Sequence, residues 1–121
     1  MSPLLFNRTT GRQVIDHVRI AKSLWAQFQG LMLESPGNFD YALIFPLPLE
    51  TRLGASVHML FVFFPLDLVF LDKNRRVVDK KEGFRPFSLN YTPKKPAAYF
   101  VEMPAGLAKE IRLGDELVWE N

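Results

Sequence analysis

The longest apolar run of this chain extends from Val57 to Leu71, with the sequence VHMLFVFFPLDLVFL, and it limits what the chain can fold into. A helix that crosses a membrane needs about 20 consecutive apolar residues. This run is shorter and is interrupted by His58, Pro65 and Asp67. Proline breaks helices and is excluded from the interior of central strands, so Pro65 divides the run. We therefore predict two short strands of a soluble core, over residues 57–63 and 66–71.

Short apolar segments of this kind recur along the chain and are separated by turn residues. A turn that contains Gly11 separates residues 4–9 from residues 13–21, which predicts a hairpin. Helical spacing of apolar residues follows Ser23, a good N-cap residue. Further strands are predicted over residues 41–45, 76–82, 97–103 and 116–120, the last after a turn at Gly114 and Asp115, with one helical turn before it. The pattern favours a mainly β fold, an antiparallel β-sandwich or partly closed barrel with one or two short helices.

Length and charge restrict the organisation and the partners of the chain. A chain of 121 residues has the size of one domain, so we expect residues 1–121 to form a single domain. The 15 basic and 13 acidic residues are spread along the chain, and a net charge of +2 gives no basic stripe for nucleic acid. We expect no nucleic-acid partner, no membrane partner, and a monomer or weak homodimer.

The absence of cysteine removes several kinds of chemistry. A disulfide framework, a thiolate nucleophile and a cysteine-ligated metal all require this residue. The chain has only two histidines, and its seven glycines form neither a phosphate loop nor a dinucleotide fingerprint. We therefore predict no metal and no cofactor. The first residues lack the pattern of a secretory signal, and we expect a cytoplasmic location.

Three titratable residues, His58, Asp67 and Glu102, lie inside apolar segments and are the candidates for a site. A buried carboxylate must be paired or hydrogen-bonded, so Asp67 and Glu102 are either structural ties or parts of a site. For Asp67 the tie would run to Arg52 or to a backbone turn. A lone histidine in an apolar strand is more often a satisfied core group than a base. The spacing of the three residues does not decide whether they converge.

A series of short motifs resembles the family called domain of unknown function 192. No single piece is specific, but their order and spacing are, and they extend from Arg19 to Val118. The pieces are Ala21, GLM at residues 30–32, Ile44-Phe45, His58-Met59, PLD at 65–67, FLD at 70–72, Val77-Val78, Pro86, YFVE at 99–102, Ala105-Gly106 and Gly114-Asp115. The resemblance implies a compact, β-rich fold and no particular activity. His58 stands where the family usually has tryptophan, and the apolar Leu60 and Phe61 replace its usual polar residues.

We interpret the chain as a non-enzymatic binding module for a small molecule, sugar or peptide. The cleft is predicted between the loops of residues 46–56 and 84–96, which are rich in prolines and aromatic residues. His58, Asp67, Glu102 and Arg52 would orient the ligand. One alternative is a small hydrolase-type enzyme that uses a carboxylate with His58 as base. Another is a protein-interaction domain without a pocket.

Overall fold

The computed structural model describes residues 4–20, 40–51, 65–84 and 91–120. The described chain contains eight strands and one 3₁₀ helix, arranged in two sheets. The elements are β1 (Leu5–Asn7), β2 (Arg12–Ile15), β3 (Val18–Ile20), β4 (Ala42–Thr51), β5 (Leu66–Leu71), β6 (Val77–Phe84), β7 (Ala97–Pro104), the 3₁₀ helix (Leu107–Glu110) and β8 (Leu117–Val118).

A sheet of three strands, in the order β2-β1-β8, accompanies a sheet of five strands, in the order β3-β4-β7-β5-β6. The pairings are antiparallel except for β3 with β4, which run parallel. Two sheets with a shared core form a β-sandwich, and neither sheet closes into a barrel within the described ranges. The prediction of a mainly β fold is confirmed. Of the two predicted architectures, the structure has the β-sandwich and not the partly closed barrel.

The first hairpin forms as predicted, with β1 and β2 antiparallel and Gly11 at a φ of 73° in the turn. The prediction of one continuous strand over residues 13–21 is wrong. β2 ends at Ile15, and after a bend at Asp16 the chain enters the larger sheet as β3, where Val18 pairs with Ala42. The change of sheet buries Val18 between the two sheets. The alternation of apolar and polar residues over 13–21 is the same for one strand as for two, so it could not predict the break.

The fourth strand is longer than its sequence suggests, because β4 continues through the prolines that were predicted to open a loop. Its neighbour β3 pairs only with residues 42–44, so the outer side of β4 beyond Ile44 has no partner strand among the described residues. Proline lacks an N–H group and is tolerated on such an edge. The predicted loop over residues 46–56 is therefore wrong for residues 46–51.

The polar residues 72–75 predict a hairpin turn, and the structure confirms it between β5 and β6. The Oδ1 atom of Asp72 accepts hydrogen bonds from the backbone N–H groups of Asn74 and Arg76, at 2.8 Å and 3.0 Å. Arg75 has a φ of 63°, in the left-handed region. Asp72 thus replaces the backbone acceptors that a tight turn cannot supply.

The larger sheet buries side chains on both of its faces. Residues that alternate along β4, β5 and β7 belong in turn to two separate apolar clusters. The inner face packs against the small sheet through a cluster that includes Leu5 and Leu117. The opposite face carries the second cluster, whose buried members are Tyr41, Leu43, Phe45, Leu66, Leu68, Phe70, Phe84, Ala97 and Phe100.

The predicted helix after Ser23 and the predicted strand over residues 57–63 lie outside the described residues. Within the described ranges, no helix has the length and apolarity to cross a membrane.

Candidate functional site on the larger sheet

The two carboxylates predicted for the site lie on opposite faces of the larger sheet. In the register between β5 and β7, Asp67 pairs with Met103 and Leu68 pairs with Glu102. Directly paired residues point to the same side of a sheet, and consecutive residues point to opposite sides. Asp67 therefore shares the inner face with Met103, and Glu102 lies on the opposite face. The structure does not bring these two carboxylates together.

Asp67 is fully buried and is satisfied by three backbone N–H groups. Oδ1 accepts from Gly83 at 2.8 Å, and Oδ2 accepts from Gly106 and Ala108, both at 2.9 Å. These donors belong to the end of β6 and to the start of the 3₁₀ helix. The carboxylate joins the end of β6 to the start of the 3₁₀ helix, and both of its oxygens accept from backbone N–H groups.

Glu102 is at the centre of a cross-strand line that spans all five strands. Leu43 and Leu68 pair with it from either side, Arg19 pairs with Leu43, and Lys81 pairs with Leu68. The charged ends of this line are exposed, and its middle is buried. We call the buried cluster opposite the small sheet, together with Glu102, the Glu102 face.

Aromatic side chains form the next line on the Glu102 face. Phe45 pairs with Phe100, which pairs with Phe70. The rings of Phe45 and Phe100 meet edge to face, with centroids 4.3 Å apart. Tyr91, from the predicted loop of residues 84–96, lies 5.7 Å from Phe70 and 6.2 Å from Phe84, between ring centroids. This loop therefore contributes an aromatic ring to the same face as Glu102.

The Glu102 side chain is only 4% exposed and has no hydrogen-bond partner among the described residues. Burial raises the pKa of its carboxyl from the ordinary 4.5 to about 8, because the surroundings disfavour the charged form. At neutral pH, Glu102 is therefore a mostly protonated acid.

A second buried carboxylate, Asp79, holds the loop of Tyr91 on this face. It pairs with Phe70 across β5 and β6. Its Oδ2 atom accepts hydrogen bonds from the Tyr91 hydroxyl at 2.7 Å and from the Lys94 backbone N–H at 3.0 Å. Burial, followed by the hydrogen bond to Asp79 and its negative charge, raises the pKa of Tyr91 to about 12. The hydroxyl of Tyr91 therefore stays protonated and keeps donating at physiological pH.

Replacing Tyr91 with phenylalanine is expected to lower the free energy of unfolding by about 1–2 kcal/mol, because a hydrogen bond to a carboxylate is lost. Urea denaturation measures the change. Tyr99→Phe is the matched control, since the Tyr99 hydroxyl has no hydrogen bond among the described residues. Equal losses in both variants would show that the Asp79 hydrogen bond adds nothing.

Two of the four predicted ligand contacts, His58 and Arg52, lie outside the described residues. Among the residues that are described, no three histidine, aspartate or glutamate side chains are close enough together to hold a metal ion. Asp79 is the residue that the sequence did not indicate. It lies between Val78 and Lys80 in a mixed strand, and its burial depends on a loop that returns from residues 91–94. No local pattern carries that information.

Comparison with known proteins agrees with this architecture. The family model DUF192, described as "Uncharacterized ACR, COG1430", matches residues 5–119. The chain belongs to the DUF192 family. The resemblance predicted from the short motifs is thereby confirmed, and the match extends beyond them at the N-terminal side, to include β1 and β2.

Relatives within DUF192 cover nearly the whole chain. UPF0127 proteins of Thermococcus sibiricus and Pyrococcus furiosus are 44% and 43% identical to it over 119 residues. Each alignment covers 97% of this chain, with 75% of the first relative and 98% of the second. The names of these relatives state no ligand and no reaction.

Two solved structures share the fold. A protein of unknown function from Novosphingobium aromaticivorans has a TM-score of 0.83 and 26% identity, covering 97% of this chain and 84% of its own. A protein from Sinorhizobium meliloti, proposed to be a transcription regulator, has a TM-score of 0.80 and 24% identity, covering 97% and 91%. At this identity the second likeness concerns the fold alone.

Proposed function

We propose that this DUF192 protein is a non-enzymatic binding module for a small molecule, sugar or peptide, with Glu102 as a contact of the ligand. The observation that carries the proposal is the Glu102 carboxyl, which is buried without a hydrogen-bond partner among the described residues. A buried polar group without a partner costs about 1–3 kcal/mol, and a ligand that supplies the partner recovers this free energy. The acid is thus expected to be the polar anchor of the ligand.

The surroundings of Glu102 support the same assignment. Binding sites for small molecules are mostly apolar and aromatic, with a few polar groups that fix orientation. Here a single carboxyl lies among leucines, with the ring pair Phe45 and Phe100 in the next line and the Tyr91 loop held beside them by Asp79. His58 and Arg52 stay predicted contacts of the ligand. Asp67, directed at the backbone on the other face, is expected to support the fold rather than the ligand.

A thermal-shift screen of metabolites, sugars and short peptides tests the proposal. A ligand at 100 times its Kd stabilises the protein by about 2.7 kcal/mol, which is easily measured. We expect hits whose shift is lost in Glu102→Gln and kept in Glu120→Gln, the same change at an exposed position. Hits that shift all three proteins equally would place the binding site elsewhere, and a screen without hits would favour the protein-interaction alternative.

A small hydrolase-type enzyme is the second candidate, and the raised pKa of Glu102 favours it. A carboxyl with a pKa of about 8 is protonated at neutral pH and suits a general acid. This reaction would need a nucleophile or an activated water beside the acid, for which His58 is the predicted base. Turnover of ester or glycoside substrates that disappears in both Glu102→Gln and His58→Ala would establish the enzyme.

A cytoplasmic location and a monomer or weak homodimer also remain predictions. Cell fractionation tests the location. Sedimentation velocity over a range of concentrations tests the oligomeric state.

A further inference from the structure

Exposed basic side chains from three separate segments of the chain meet around the turn that leads into β8. We call this surface the basic patch, and its members are Arg8, Arg12, Arg76, Lys109 and Arg112. The first two belong to the hairpin of β1 and β2, the third precedes β6, and the last two lie in and after the 3₁₀ helix. These charges are spread along the sequence, and the fold collects them on one surface.

Three of the arginines are held together by the turn before β8. Arg8 and Arg76 contact different oxygens of the Glu116 carboxylate, with N–O distances of 3.7 Å and 3.9 Å. The Arg76 Nη1 atom also donates a hydrogen bond at 3.1 Å to the carbonyl of Gly114, which is two residues from Arg112. The Arg8 and Arg76 side chains are 70% and 54% exposed. Exposed ion pairs contribute little to stability, so the carboxylates of a partner can compete for both guanidinium groups.

The basic patch carries more positive than negative charge. Arg12 forms an ion pair at 3.1 Å with Glu110, the residue after Lys109, and these two side chains are 72% and 74% exposed. Asp115 is the third acid of this region, but it is buried, and its carboxylate accepts the backbone N–H of Arg112. Five basic side chains therefore face three acids. The excess of two equals the net charge of +2 of the whole chain, so the positive field is concentrated here.

An exposed leucine lies inside the same surface. Leu113 is 63% exposed and follows Arg112 in the turn, which closes at Gly114 with a φ of 92°. Among the described residues, Leu4 is the other exposed large apolar side chain, at 40%. A single exposed leucine is common on protein surfaces. Here, however, it is placed between basic groups, so a partner that pairs with the arginines also covers Leu113.

We propose that the basic patch binds an acidic segment of a partner protein, whose carboxylates pair with the arginines and whose apolar side chain covers Leu113. The guanidinium group matches a carboxylate with two parallel hydrogen bonds, whereas a lysine offers a single point charge. Protein interfaces are accordingly enriched in arginine and depleted in lysine. The patch has four arginines and one lysine. The exposed basic residues elsewhere in the described chain are Arg19, Lys73, Lys81, Lys94 and Lys95.

The same observations favour a protein over a nucleic acid. Proteins that bind DNA neutralise many phosphates, typically about 6–10, and an excess of two charges is small for that purpose. A phosphate backbone also has no apolar group to cover Leu113. The inference is independent of the proposed function, because Glu102 lies on the face of the larger sheet that points away from the smaller one.

Fluorescence anisotropy with a labelled short peptide, made of glutamates around one central leucine, tests the inference. We expect binding that weakens as the salt concentration rises, because exposed charges are screened. The double variant Arg8→Gln/Arg112→Gln should raise the Kd about tenfold or more. The double variant Lys81→Gln/Lys95→Gln removes the same charge outside the patch and should change the Kd by less than about twofold.

Two further variants separate geometry from charge. Arg8→Lys/Arg112→Lys keeps both charges and should still weaken binding, because lysine cannot form the paired hydrogen bonds. Leu113→Ser should weaken binding of the leucine peptide but not of a peptide with serine at its centre.

Other results would overturn the inference. Equal losses in the arginine and lysine double variants would show that net charge alone attracts the peptide. A peptide that does not bind at low salt would exclude the acidic partner. A DNA oligonucleotide that binds the patch more tightly than the peptide, at the same salt concentration, would replace the protein partner with a nucleic acid.

Discussion

Asp67→Ala is expected to lower the free energy of unfolding by about 3–5 kcal/mol. The variant leaves the N–H groups of Gly83, Gly106 and Ala108 without their acceptor, and the Ala108 hydrogen bond is buried. An orphaned buried donor costs about 1–3 kcal/mol, and the space left by the carboxylate adds a cavity. Urea denaturation followed by circular dichroism measures the loss.

Asp67→Asn distinguishes the hydrogen bonds from the space that the side chain fills. Asparagine keeps the shape but places an NH₂ group against backbone donors, because both carboxylate oxygens of Asp67 are acceptors. We expect it to lose about 2–4 kcal/mol, more than half of the alanine effect. Asp16→Asn, at an exposed bend, should change the stability by less than about 0.5 kcal/mol. An Asp67→Asn protein as stable as the wild type would refute the backbone-tie role.

Glu102→Gln is expected to change how stability depends on pH. The pKa of Glu102 is about 8 in the folded protein and near 4.5 ordinarily, so the folded state holds a proton that the unfolded state releases in this range. Its stabilising contribution is complete below about pH 4.5 and is lost as the pH rises through about 8. Between these two pKa values, the free energy of unfolding falls by about 1.4 kcal/mol for each pH unit. Glutamine carries no proton to lose and should remove this slope.

Free energies of unfolding of the wild type and of Glu102→Gln, measured at about pH 5 and about pH 8.5, test this prediction. The glutamine variant should resemble the wild type at the lower pH and be the more stable protein at the higher one. Glu120→Gln, an exposed position, should follow the wild type throughout. A constant difference between the wild type and Glu102→Gln across this range would mean that Glu102 titrates near its ordinary pKa.

The sequence predicted the strands wherever local pattern and burial agree. Residues 66–71 form a strand because Pro65 and the turn residue Asp72 limit an apolar segment, and β5 has those bounds. The hairpin turn at Asp72–Arg75 was predictable because an aspartate that accepts from the next backbone N–H groups is a local device. The strand through Pro46 was not predictable, because a proline is tolerated only where the neighbouring strand β3 has already ended.

For the candidate site, the sequence identified both Asp67 and Glu102, but it did not show that they lie on opposite faces of the sheet. A carboxylate between two apolar residues must be satisfied or functional, and this much follows from Asp67 and Glu102 alone. Their assignment to opposite faces depends on the register that pairs Leu68 with Glu102. A shift of that register by one residue would exchange the faces, and register is a property of the assembled sheet.

The sequence by itself determined a cysteine-free, β-rich chain of the DUF192 family with a short set of buried acids, because composition and motif order are local facts. The tertiary structure alone decided that Asp67 is satisfied by backbone from two distant segments, while Glu102 is left without a partner among the described residues. The physical reason is that hydrogen-bond partners and desolvation come from residues far apart in the chain. Two aspartate or glutamate residues in similar apolar segments therefore acquire different chemistry only when the sheet has formed.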